Sequence, residues 1–128
     1  MLLLLAVTAC SKQEEKNTFE DEVVGHWLSS KVILDSVNVT DLYSFDLTLS
    51  QNRKFTLTVD SENLLTGQTD SETATGNWTA DYVNETITLQ NTESSTEQIY
   101  SVKYVDDVRM IATSDQNGKN TEITFEKQ

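Results

Sequence analysis

The sequence predicts an all-β fold: an eight-stranded antiparallel up-and-down barrel, with no substantial helix after a short leader. Three observations carry this. Eight short segments between residues 24 and 127 alternate apolar and polar side chains with a period of two, as strands do when one face is buried and the other meets water. Nothing after residue 22 shows the i, i+3, i+4, i+7 stripe of an amphipathic helix, and the chain is rich in Thr and Ser and has no proline. The connections between the segments also alternate in length, long then short.

The first segment, Val24 to Leu34, carries Leu28, Val32 and Leu34 on one parity, with Trp27 and Ile33 on the other. Leu42 to Ser50 places Phe45, Leu47 and Leu49 together, with Asp46 and Thr48 opposite. Lys54 to Asp60 repeats the pattern with Phe55, Leu57 and Val59. Thr73 to Asp81 contributes Ala74, Trp78 and Ala80, and Glu85 to Gln90 contributes Ile87 and Leu89. Gln98 to Val105 aligns Tyr100, Val102 and Tyr104. Val108 to Thr113 aligns Val108, Met110 and Ala112, and Lys119 to Lys127 aligns Ile123 and Phe125.

Tight turns are expected at Ser50 to Arg53, Tyr82 to Asn84 and Asp106-Asp107. Longer connections run from Asp35 to Asp41, Ser61 to Glu72, Asn91 to Glu97, and Ser114 to Gly118 with its Asn117-Gly118 turn signal. In a meander, alternate connections fall at opposite ends. The length pattern therefore describes a vessel with one closed end and one elaborated mouth, and eight strands can close so that no sheet edge is left exposed. A barrel of that size is only just wide enough for its own side chains. The expected inward set is bulky (Phe45, Phe55, Trp78, Tyr100, Tyr104, Phe125), and only Ala74, Ala80 and Ala112 leave space.

At 128 residues the chain has room for one domain, and 37 % hydrophobic content is globular rather than disordered. The formal net charge of −12, with nine Lys and Arg scattered singly, excludes nucleic acid as a partner, because phosphates demand a basic stripe.

The opening MLLLLAVTAC precedes this pattern. Its apolar run is far shorter than the roughly 20 residues a membrane span needs, but fits the apolar core of a secretory signal. Val7-Thr8-Ala9 directly before Cys10, the only cysteine, resembles the lipobox of bacterial lipoproteins. That resemblance implies a signal peptide over residues 1–9, a lipid-carrying Cys10, and anchorage to a membrane of the bacterial cell envelope. Met1 is followed at once by leucine rather than by basic residues, which points to a start further upstream. Residues 10–22 then read as the lipidated cysteine and a flexible tether, and 23–128 as the folded domain. The run Ser11-Lys12-Gln13-Glu14-Glu15 is similar to the acidic export signal of surface lipoproteins in Bacteroidetes, which implies outer-membrane, surface-exposed display; the alternative is an anchor that faces the periplasm.

Within the barrel, Gly25-His26-Trp27 resembles the Gly-x-Trp signature of lipocalins, whose tryptophan packs near the closed end. Together with Gly76-Asn77-Trp78, the Phe45 to Phe55 hairpin and the closing Ile123-Thr124-Phe125, it makes residues 23 to 126 similar to bacterial lipocalin-like lipoproteins. Gly25, Trp27, Gly76 and Trp78 are the signature positions.

The resemblance implies a small hydrophobic ligand held at the long-loop mouth. Leu64 and Leu65 are the expected lip, or else a small apolar staple of their loop onto the rim, and Trp78, Tyr100 and Tyr104 the expected mouth and lumen contacts. The alternative is a protein-interaction module, of the envelope-assembly or enzyme-inhibitor kind, with a filled barrel and a protein partner. Enzyme activity is not expected. His26 is the only histidine, no nucleophile accompanies it, and Cys10 is taken by the lipobox. No cofactor or metal is expected either, since the acidic stretch Asp60 to Glu72 lacks the alternating carboxylates and central glycine of a calcium loop.

Overall fold

In a computed structural model of the chain, residues 18–116 and 118–128 are described. The expected leader, Cys10, the tether as far as residue 17, and Asn117 of the Asn-Gly turn lie outside them. Residues 18–23 are helical and lead into β1 (Gly25–Leu34). There follow β2 (Val37–Asn38), β3 (Tyr43–Leu49), β4 (Lys54–Glu62), β5 (Thr69–Asp81), β6 (Thr86–Asn91), β7 (Glu97–Val105), β8 (Arg109–Gln116) and β9 (Lys119–Lys127).

Strands β1 and β3 to β9 each pair antiparallel with their chain neighbour. The sheet closes on itself where β1 pairs with β9, from Trp27 opposite Lys127 to Leu34 opposite Thr121. This is a closed eight-stranded antiparallel barrel plus one short extra strand. The extra strand, β2, lies in a connection expected as a plain loop. Beyond Leu28 opposite Asp46, β1 and β3 stop pairing, and β2 covers the free edge of β1. Side chains close the rest of that seam: Val32 N donates to Thr40 Oγ1 at 3.0 Å, and Phe45 N donates to Ser29 Oγ at 2.9 Å.

Two β-bulges set which side chains face inward. In β1 the register against β9 shifts between Ser29 and Lys31, so Trp27 and Val32 both point into the core despite their opposite parity. In β7 the register against β8 shifts between Val102 and Tyr104. Val102 is buried opposite Ala112, but Tyr104 falls opposite Ile111 on the outer face and is 48 % exposed. Tyr100, Val102 and Tyr104 therefore do not share the one face that their alternation predicts. One extra residue, Lys103, inverts everything after it.

The stretch Ser61 to Glu72, expected as a loop, is half ladder. β4 and β5 stay paired as far as Glu62 opposite Thr69, and only residues 63–68 turn. Its side chains are almost all polar, so no alternation marks it. The arm meets water on both faces and needs none.

The closed end carries the tight turns and both tryptophans. Trp27 and Trp78 are fully buried. The Trp27 indole donates to Val23 O, and the Trp78 indole to Ser50 O, each at 2.8 Å. Gly76, two residues before Trp78, sits where a Cβ would overlap the Gln90 carbonyl oxygen and press on the Phe55 ring. The guanidinium of Arg53 stacks 4.6 Å from the Trp78 ring centre and the Lys127 ammonium lies 5.1 Å from that of Trp27, so each ring is capped by a cation.

The helix over 18–23 completes this end. Phe19 and Val23 join the core, and Glu20 pairs with Arg53 at 2.8 Å. The expected tether, drawn through residue 22, therefore overlaps the fold. Its last residues form a turn of helix with one buried aromatic, too short to leave a helical stripe in the sequence.

Candidate functional site

The lumen itself holds almost nothing. Between Phe45, Leu47, Leu57, Ile87, Leu89, Tyr100, Met110, Ala112 and Phe125 the free volume is about 10 Å³, the space of one water molecule at most. Side chains fill the barrel, as its strand number permits.

Space opens instead at the mouth. β5 is thirteen residues long and β6 only six, and the two are paired only from Gly76 opposite Asn91 to Asp81 opposite Thr86. Above Gly76 the strands part, with Thr92 N and Oγ1 both donating to the Thr75 carbonyl at the fork. The result is a cleft of about 380 Å³. Its apolar side comes from Phe55, Leu57 and Val59 of β4, Ala74 of β5 and Leu89 of β6. Its polar side comes from Glu72, Thr73, Asn91, Thr96 and Gln98. Phe55, Leu57 and Leu89 are core residues whose upper surfaces form the floor.

Tyr100 links lumen and cleft. It lies under the cleft, lines the residual lumen space, and donates its hydroxyl to Gln98 Oε1 at 3.2 Å. Burial of the ring pushes the phenol up to about 12. Tyr100 is thus a wall residue held neutral.

The other expected site residues are placed differently. Trp78 belongs to the closed end, with its indole committed to Ser50, and takes no part in the mouth. Tyr104 stands on the outer surface, where its hydroxyl donates to Asp106 Oδ2; that contact pushes the phenol up and holds the Asp106 carboxyl down. Leu64 and Leu65 sit at the tip of the β4–β5 arm, 79 % and 97 % exposed, and are not among the residues lining this cleft. The tip is shaped by its backbone: Asn63 Oδ1 accepts from Leu65 N, and Gly67 N donates to Asn63 O with Gly67 at φ +69°.

His26 faces outward, with Nε2 2.7 Å from Asp46 Oδ1. Among the described residues, no three His, Cys, Asp or Glu side chains converge as metal ligands would. No helix among them is long and apolar enough to cross a membrane.

The sequence brings in Glu72 only as the end of the acidic stretch set aside for calcium, Asn91 and Gln98 only as segment ends, and Thr96 only inside a connection. The unequal lengths of β5 and β6 would have pointed to them, but the polar first half of β5 reads as loop. Neither a protein-family model nor a curated protein matches this chain.

Proposed function

We propose that this chain is a lipid-anchored lipoprotein of the bacterial cell envelope whose lipocalin-like barrel holds a small hydrophobic ligand in the mouth cleft. The anchoring part of this reading rests on Val7-Thr8-Ala9-Cys10 and the charged stretch that follows it. The binding part rests on one observation: an open cleft of about 380 Å³ whose floor is core-grade apolar surface and whose rim is amide, hydroxyl and one carboxylate. Small-ligand sites typically occupy about 300–1,000 Å³, with apolar walls and a few orienting polar groups. An apolar ligand on Phe55, Leu57 and Leu89 gains roughly 25 cal/mol for each Å² it removes from water.

Native mass spectrometry of the protein purified from its host tests the binding part. The expected result is a co-purifying small molecule that is lost from a Thr96→Phe variant, whose ring fills the cleft from its exposed rim. A ligand-free spectrum, together with no uptake of added alkyl ligands, would remove the reading. For the anchor, Cys10→Ser should move the protein out of the membrane fraction; unchanged fractionation would contradict it. Protease treatment of intact cells separates surface display from an inward-facing anchor.

A second reading, the protein-interaction module, is favoured by the filled lumen and by the near-complete exposure of Leu64 and Leu65. Singly exposed leucines are ordinary, but two at the tip of a projecting arm form a presentable apolar point. A stoichiometric protein in the same native spectra would favour it over the carrier.

A further inference from the structure

We infer that the mouth cleft selects an amphipathic cation: a short apolar chain or ring bearing an ammonium group. This rests on the mouth-cleft reading above and adds the sign of the ligand's head group. Of the residues lining the cleft, Glu72 is the only acidic one, and no Lys, Arg or His lines it. Glu72 has no ion pair among the described residues. It stands on β5 beyond the fork, opposite Val59 of β4, so carboxylate and apolar wall belong to one cross-strand pair.

A ligand whose chain covers Phe55, Leu57 and Leu89 would bring its head group out among Glu72, Asn91 and Gln98. The neutral members of this rim accept or donate hydrogen bonds to any polar head. Only Glu72 distinguishes the sign of a charge.

Calorimetric titration of the intact chain with octylammonium, 1-octanol and octanoate tests this, because the three share one apolar chain and differ in head group. Octylammonium should bind about two- to fivefold more tightly than octanol at low salt, the range of an exposed ion pair. Octanoate should bind most weakly, and the spread should shrink in about 0.5 M salt as screening sets in. In Glu72→Gln the octylammonium-to-octanol ratio should fall to near one, and in Glu72→Lys the order should reverse towards octanoate. Glu126→Gln, on β9 and outside the cleft, should leave the ratio as it was. Octanol binding without any charge order, or a cation preference that survives Glu72→Gln, would overturn the inference and leave the cleft reading standing. Failure of all three ligands to bind would overturn the cleft reading, and this inference with it.

Discussion

Single side chains at the tight turns carry a pH signature. Asp106 accepts from the Tyr104 hydroxyl and from the backbone N–H groups of Val108 and Arg109, and these bonds hold its carboxyl below the ordinary value. Asp81 does the same work in the β5–β6 turn, where the Asn84 side chain and the Asn84 and Val83 backbone hold it down. A group depressed in the folded state stabilises the fold above its unfolded value, about 3.9 for Asp, and that contribution is lost as pH falls through the folded value. The urea midpoint should therefore decline on acidification below about pH 4. The decline should be shallower in Asp106→Asn, which keeps an oxygen acceptor but cannot titrate. An unchanged acid limb would show that the turn carboxylate is not engaged. At the other extreme, Tyr100 is raised to about 12 by burial, so its contribution is intact below the unfolded value of roughly 10 and is lost between the two. A phenolate absorbance titration should contain one step near 12 that disappears in Tyr100→Phe.

At the scale of elements, two mouth turns share one design. In each, an Asn opens the turn: its side chain accepts the N–H two residues on, and its carbonyl accepts from the residue four on (Asn63 with Leu65 and Gly67, Asn91 with Glu93 and Ser95). The fifth position is left-handed in both, filled by Gly67 at φ +69° and by Ser95 at φ +56°. Only the first is matched to its backbone. Ser95→Gly should raise stability by about 0.5–1 kcal/mol, read as a higher urea midpoint at unchanged slope. No gain would mean that the loop does not hold this conformation. The helix over 18–23 makes the opposite kind of prediction. If Phe19 plugs the closed end, Phe19→Ala should cost about 3 kcal/mol, the low end for a buried Phe. A tether residue would cost almost nothing.

The same elements mark what the sequence disclosed. Strands with one wet face were legible because each residue pair states which side is buried: Leu47 and Leu49, Ile87 and Leu89, Ile123 and Phe125 all fall where the alternation put them. The bulges were not legible. Parity counting assumes equal steps, so Lys103 alone carried Tyr104 from the expected lumen to the outer surface. The arm of β4 and β5 escaped because strands solvated on both faces have no pattern to show. The helix over 18–23 escaped because one buried side chain per turn makes no stripe.

For the whole molecule, alternating connection lengths in the sequence anticipated a closed end and a mouth. The closed end is where the structure gathers the helix, two cation-capped tryptophans and three tight turns. The mouth is shaped by something the loop lengths do not encode, the parting of a long β5 from a short β6 above Gly76. Of the expected ligand contacts only Tyr100 adjoins the resulting cleft, through Gln98. The rest follow other constraints: Trp78 the closed end, Tyr104 the bulge, and Leu64 and Leu65 the tip of the arm. A filled lumen under an open cleft is thus the central statement about how this barrel could bind anything. Its most direct test is a ¹⁵N NMR titration of the protein with 1-octanol. The backbone amides of Ala74, Asn91 and Gln98 should shift, while the indole N–H signals of Trp27 and Trp78 at the closed end stay fixed. Movement of both indole signals together with the Met110 amide would place the ligand inside the barrel and contradict the account.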